Sequence, residues 1–279
     1  MKFVKMHGLG NDFVLVDQVK QEIYHDLHNL APIICHRQFG VGADGLILIL
    51  PSDKADVRMR IINADGSEAE MCGNGIRCLA KMVYETGLVN SPVIEVETLA
   101  GIIRPELILN DHNQVLSVKV DMGEPRFAPE DIPVLMPGEK VINQALEVGN
   151  ETIMINVVSM GNPHCVIFVP NVVGAPVAAL GPMVEKHPVF PAKTNVEFVE
   201  VINRQEVKMR VWERGAGETM ACGTGACAVA VACVLNNKTD RQLTVHLDGG
   251  DLTLLWADNN HVFMTGPAEK VFEGLYFIR

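Results

Sequence analysis

The sequence contains no Cys-x-x-Cys pair, no long uncharged apolar run and no basic stripe. The first absence removes the usual zinc-ribbon and thioredoxin-like signatures. The second leaves nothing near the roughly 18–20 apolar residues that a membrane span requires, so no membrane partner is expected. The third, with a net charge of -11, argues against wholesale nucleic-acid binding. A small anionic substrate stays compatible, because local dipoles and one arginine can hold it. The opening Met1-Lys2-Phe3-Val4-Lys5-Met6-His7 alternates in polarity and lacks the apolar core and small-residue cleavage site of a secretory signal. With seven cysteines, an odd number, the expectation is a cytoplasmic protein with reduced thiols. Aromatic residues make up only 5% of the chain and apolar residues 48%, an ordinary globular composition. Its 279 residues suffice for two compact lobes.

What the chain does have is a repeat. Arg58-Met59-Arg60-Ile61-Ile62-Asn63, a loop, then Met71-Cys72-Gly73-Asn74-Gly75 are echoed by Lys208-Met209-Arg210-Val211-Trp212-Glu213, a loop, then Ala221-Cys222-Gly223-Thr224-Gly225. The offset of 150 holds from 58/208 through 72/222 to 75/225. Fainter echoes place Gly10-Asn11-Asp12-Phe13 opposite Gly161-Asn162-Pro163-His164, and Gly42-Ala43-Asp44-Gly45 opposite Ala192-Lys193-Thr194-Asn195. One strand–loop–helix unit used twice, with a thiol at the same place in each copy, is the simplest reading.

Alternating polarity predicts strands at Val57–Ile61, Val93–Val96, Ser117–Met122, Val207–Val211, Leu243–Leu247, Leu252–Trp256 and Val262–Met264. Turn clusters at 110–113, 248–251 and 257–260 separate several of them, the last two as hairpins. Helices are predicted at Tyr24–Cys35, Gly75–Thr86, Val177–Glu185 and Gly225–Leu235. The last has no polar residue on any face, so other structure must enclose it. In the second, Arg77, Lys81 and Glu85 fall on one stripe, expected to be exposed. Cys78, Cys227 and Cys233 lie in apolar helical runs and read as small core residues. The fold expected is α+β: two pseudo-symmetric lobes, each a curved, mostly antiparallel sheet around a central helix, with the active site in the cleft between them. The boundary is placed near residue 120, giving lobes 1–120 (joined by 267–279) and 121–266.

A thiol just before Gly-x-Gly and a helix sits where unpaired backbone N–H groups and the helix dipole favour negative charge. Its pKa is then expected to fall towards neutrality. Two such thiols across one cleft suit the inversion of a carbon: a base takes a proton from one face and an acid returns one to the other. In a coupled pair the first ionisation resists the second, so one thiolate and one thiol coexist.

On these motifs, together with Gly8-Leu9-Gly10-Asn11-Asp12-Phe13, Asn63-Ala64-Asp65-Gly66-Ser67, Thr194-Asn195-Val196-Glu197-Phe198 and Glu213-Arg214-Gly215-Ala216-Gly217-Glu218-Thr219, the chain resembles the diaminopimelate epimerases over essentially its whole length. The resemblance implies interconversion of LL- and meso-diaminopimelate on the route to lysine and peptidoglycan, with no cofactor, no metal, and a homodimeric assembly. It implies Cys72 and Cys222 as the acid/base thiols. Gly73, Asn74, Gly223 and Thr224 would cradle the reacting carboxylate, and His164 and Glu213 would adjust the thiols, Glu213 also taking the reacting ammonium. Asn11, Asn63, Asn162, Asn195 and Arg214 would clamp the distal zwitterion, a task suited to amides and one bidentate guanidinium. One departure stands out. Many members carry Gln after Gly-x-Gly-x-Asp, whereas Gly45 follows Asp44 here, so residue 45 is left out of the site.

Blander readings stay open from the residues alone. His164 can be a loop residue, Asn11 and Asn63 turn formers, and Arg214 a surface charge. Rival functions are a paired-cysteine racemase of another amino acid, a thiol redox or metal-thiolate protein, and an inactive binding protein on the same scaffold.

Overall fold

The computed structural model describes residues 1–21 and 26–278. It divides into two units, Met1–Asp121 with Thr265–Arg279, and Met122–Met264.

In the first unit, β1 (Lys2–Gly8), β2 (Asn11–Asp17), β3 (Gly45–Leu50), β4 (Val57–Asn63), β5 (Glu68–Ala69), β6 (Val96–Thr98), β7 (Gly101–Ile103), β8 (Glu106–Leu109), β9 (Val115–Asp121) and β19 (Glu269–Leu275) accompany two helices, α1 (Leu27–Cys35) and α2 (Gly73–Glu85). One sheet runs β19-β1-β2-β3-β4-β6-β7, with β5 beside β4. Its β2–β3 and β4–β6 pairings are parallel and the rest antiparallel. The second unit holds β10 (Gln144–Val148), β11 (Glu151–Ser159), β12 (Pro163–Phe168), β13 (Asn195–Asn203), β14 (Glu206–Glu213), β15 (Gly217–Thr219), β16 (Gln242–Leu247), β17 (Gly250–Trp256) and β18 (Val262–Gly266), with α3 (Val177–Glu185) and α4 (Gly223–Leu235). The order β10-β11-β12-β13-β14-β16-β17 repeats the first sheet strand for strand, parallel at β12–β13 and β14–β16. Both sheets are therefore mostly antiparallel, and the fold is α+β with one topology used twice.

Each sheet curves round its own helix. α2 touches β1, β2, β3, β4 and β9, and α4 touches β11, β12, β13, β16 and β17. The reason is legible in α4, where residues 225–233 are all buried. A helix without a polar face is stable only when enclosed. Its cysteines 227 and 233, like Cys78 in α2, are core residues. The opposite face of each sheet is also covered. Val14, Val16, Leu46, Leu48 and Ile62 pack with α1 residues Leu30, Ala31 and Ile34, while Val157, Cys165, Val196 and Phe198 pack with α3 residues Val177 and Val184. Strands buried on both faces lose alternation and read as apolar runs, which is why β3, Gly45-Leu46-Ile47-Leu48-Ile49-Leu50, escapes a period-two search.

Two expectations need correction or trimming. Arg77 is not on an exposed stripe: it is fully buried, donating from Nη1 to Gly73 O at 3.0 Å and from Nε to Pro267 O at 3.2 Å. A guanidinium tolerates burial where carbonyls accept its donors. The helix expected from residue 24 starts at Leu27, capped by the Asp26 carboxylate, and residues 24 and 25 lie outside the described residues.

Candidate active site

The repeat places each Cys-Gly-x-Gly cysteine at the same structural point. Cys72 is the N-cap of α2 and Cys222 the N-cap of α4, both with extended backbone. The second glycine of each motif exists because the first helical turn is pressed onto the sheet. A Cβ on Gly75 would stand 2.9 Å from Ile47 Cδ1 on β3, and one on Gly225 2.7 Å from Glu197 Oε1 on β13. Ile47 and Glu197 are themselves related by the offset of 150. The strand pair that precedes each helix carries a matched ion pair, Arg60–Glu68 between β4 and β5 and Arg210–Glu218 between β14 and β15, both at 2.6 Å.

Around Cys72, the thiol accepts from Gly75 N–H at 3.5 Å and lies 3.7 Å from Asn11 Oδ1 as donor. Asn74 Nδ2 donates to the same oxygen at 3.1 Å. Asn11 is in turn oriented by Asp44, whose Oδ2 takes its Nδ2 at 2.8 Å. Arg37 Nη2 reaches Asp44 and Asp12 at 2.7 and 2.9 Å, and Lys5 pairs with Asp12 from below. Sequence reasoning missed this charged support, although Asp12 and Asp44 sat inside motifs it recognised. Asn63, at the end of β4 opposite Gly45, gives its amide to Ser67 Oγ at 2.9 Å and stands apart from the set that meets Cys72.

Around Cys222 the groups form a chain. Its Sγ lies 3.6 Å from Thr224 Oγ1, which accepts from Asn162 Nδ2 at 3.3 Å. Asn162 Oδ1 meets His164 Nε2 at 2.9 Å, and His164 Nδ1 meets Glu197 Oε1 at 2.6 Å. His164 and Glu197 are both inaccessible to solvent. Asn195 is also buried; its Nδ2 donates to Pro163 O at 2.9 Å and its Oδ1 accepts from Arg214 N–H at 2.9 Å. Asn195 therefore fixes the backbone from which the exposed Arg214 side chain projects, with Nη1 on Ala192 O at 3.1 Å. Glu213 Oε1 takes the Thr219 hydroxyl.

Cys222 departs from the expected fall in thiol pKa towards neutrality. Burial pushes its thiol well above the ordinary cysteine range, and the carboxylates of Glu213 and Glu197 push it further. The contacts with Thr224 and Gly225 N–H pull the other way and do not prevail. Desolvation of a nearly enclosed sulfur outweighs the dipole of one helix end. Glu197 was quoted within a motif but given no role. Its signal was a lone carboxylate between Val196 and Phe198 in an apolar strand.

A thiol at a helix N-cap, backed by amides and a carboxylate, can exchange a proton with a carbon acid, and the N–H groups of the helix start can stabilise the anion that results. Comparisons with known proteins give the family. The family model described as diaminopimelate epimerase matches residues 3–128 and 156–271. A diaminopimelate epimerase of Moorella thermoacetica is 60% identical over 275 residues, covering 98% of each chain. Among solved structures, a Bacillus anthracis phenazine biosynthesis protein of the PhzF family superposes with a TM-score of 0.72 at 18% identity, covering 100% of this chain and 99% of that one. A probable proline racemase from Agrobacterium radiobacter K84 has the same score at 15% identity, over 100% and 93% of the two chains. The two structures share the fold; the sequence match goes further, and the chain belongs to the diaminopimelate epimerase family.

Proposed function

We propose that this isomerase interconverts LL- and meso-diaminopimelate without a cofactor, using Cys72 and Cys222 as acid and base on the two faces of one α-carbon. The observation that carries the reading is the equivalence of the two sulfurs, each capping a helix whose first turn offers Gly73-Asn74 or Gly223-Thr224. Backbone N–H groups at such a turn bind a carboxylate and the enolate-like charge that grows on it as the proton leaves. Cys222, held as the thiol by its surroundings, supports the mixed thiol/thiolate state that inversion demands. Asn11, Asn63, Asn162, Asn195 and Arg214 recognise the distal zwitterion, and Glu213 takes the reacting ammonium. Assembly as a homodimer and residence in the cytoplasm complete the reading, both resting on family resemblance; sedimentation velocity checks the first.

Incubating LL-diaminopimelate with the purified protein in heavy water tests the reaction. Deuterium should enter one α-position as the meso isomer forms, with no added pyridoxal phosphate. Exchange or racemisation of proline with diaminopimelate untouched would replace this substrate by another.

A further inference from the structure

The two halves of the repeat differ at the two positions beneath the helix caps. In the first unit they hold Phe13 and Ile47, both apolar and buried. The same positions in the second unit hold His164 and Glu197. The correspondence is structural: Phe13 pairs with Gly45 across β2–β3 as His164 pairs with Asn195 across β12–β13, and Ile47 underlies Gly75 as Glu197 underlies Gly225. A duplicated apolar floor has thus become, under one thiol only, a buried acid–imidazole pair.

Bond directions constrain what the pair does. Asn162 Nδ2 is committed to Thr224, so Asn162 Oδ1 is the atom facing the ring, and His164 Nε2 must donate to it. His164 Nδ1 faces Glu197 Oε1, so one proton sits between them, on either atom, without the ring turning. Glu197 Oε2 is buried with no hydrogen-bond partner among the described residues. Both Glu197 Oε1 and Cys222 Sγ come within 3.3 Å of the point where a Gly225 Cβ would stand.

We propose that Glu197 is a positioning residue which, together with His164, makes Cys222 rather than Cys72 the sulfur that carries the proton in the substrate-free enzyme. Its carboxylate opposes a thiolate at Cys222 directly. Through His164 and Asn162 it also aims the Thr224 hydroxyl at the sulfur. The ionisable groups bearing on Cys222 in its own unit are Glu213 from β14 and Glu197 from β13; His164 from β12 bears in turn on Glu197, whose charge also raises the buried Cys165 thiol. Burial and the Glu213 charge raise the proton affinity of Glu197 itself, and His164 lowers it. The inference takes Cys222 as an acid/base thiol, as proposed above. Its test does not depend on turnover, and activity in Cys222→Ala would remove that role while leaving the thiol measurements standing.

The test follows alkylation of each cysteine by iodoacetamide against pH, resolved by peptide mass spectrometry, in wild type, Glu197→Gln and Glu197→Asp. Access scales the rate without moving the pH midpoint, so the midpoint is read. In wild type, Cys222 should titrate above Cys72. In Glu197→Gln the Cys222 midpoint should fall by about one pH unit, a roughly tenfold faster reaction below both midpoints. Cys72 should hold its value, and Glu197→Asp should stay near wild type at both sites. An unshifted Cys222 in the isosteric Gln variant, or an equal fall at both cysteines, overturns the proposal. Should the Gln variant fail to fold, nitrogen-15 NMR of His164 in the wild type decides. A proton on Nε2 supports the relay, and an Nδ1–H tautomer with bare Nε2 refutes it.

Discussion

Trp212 Nε1 donates to Glu185 Oε2 at 2.8 Å, tying the end of β14 to α3. The other oxygen of the same carboxylate accepts from Gly215 N–H at 3.2 Å. Glu185 therefore grips the residues on either side of Glu213-Arg214, and it is itself 3% exposed. The indole fits only because α3 carries glycine at 181, where a Cβ would stand 2.7 Å from the tryptophan side chain. Removing the carboxylate takes an acceptor from the half-buried Trp212 indole N–H and from the exposed Gly215 N–H, at a cost of about 0.5–1.5 kcal/mol each. Glu185→Ala should loosen the turn that presents Arg214. With Arg214 on the distal end of the substrate, as proposed above, the expected kinetic signature is a KM for diaminopimelate raised about tenfold with a smaller fall in kcat. Steady-state kinetics at matched folded fraction checks it, and an unchanged KM would show that the turn holds without its anchor.

Cys72→Ala and Cys222→Ala address the chemistry more directly. On the proposed mechanism each removes one half of the proton exchange, and positioned acid–base groups contribute about 10²–10⁴-fold. Epimerisation followed by chiral chromatography should drop by at least that factor in either variant. Substantial turnover in Cys72→Ala would dismiss the two-thiol mechanism.

The glycines at 75 and 225 offer a matched pair of stability experiments. Alanine is favoured over glycine in a helix by about 1 kcal/mol, but overpacking a core costs about 1–3 kcal/mol. At Gly75 the obstruction is the flexible end of Ile47, which can shift, so Gly75→Ala should nearly break even in thermal unfolding. At Gly225 the obstruction is Glu197 Oε1, held by His164 in a buried pair. Gly225→Ala should therefore destabilise by up to about 2 kcal/mol, the overpacking cost less the propensity gain, and disturb Cys222 chemistry. Equal melting shifts in the two variants would contradict the asymmetry of their floors.

Much of this was legible before any coordinates. The repeat located both helix caps, because Cys-Gly-x-Gly preserves a backbone approach that only glycine permits, and the apolar α4 announced its own burial. What escaped notice was contact across strands. The link between Glu197 and His164 depends on the register of β12 against β13, which local periodicity does not encode. Arg77 was misplaced because helical spacing gives the face a residue occupies, not whether that face meets solvent or the carbonyls of Gly73 and Pro267. At Cys222 the helix dipole was visible in sequence, whereas the desolvation that outweighs it required the packed structure.

Burial of the structural thiols carries a consequence for alkaline stability. Desolvation lifts Cys78 and Cys233 to about 12 from the ordinary 9.0. For such a group the unfolded chain ionises first as pH rises, so the native state binds the extra proton. The stability it contributes is complete below pH 9.0 and is lost progressively on the way to about 12. Each thiol should then contribute a slope of roughly 1 kcal/mol per pH unit across that window. Urea denaturation should give a free energy that the titration of these two thiols leaves unchanged at about pH 8 and that falls steeply by about pH 10.5. Replacing both by alanine lowers stability at neutral pH through lost packing but should flatten the alkaline slope. A slope identical to wild type in that double variant would mean that other groups govern alkaline unfolding.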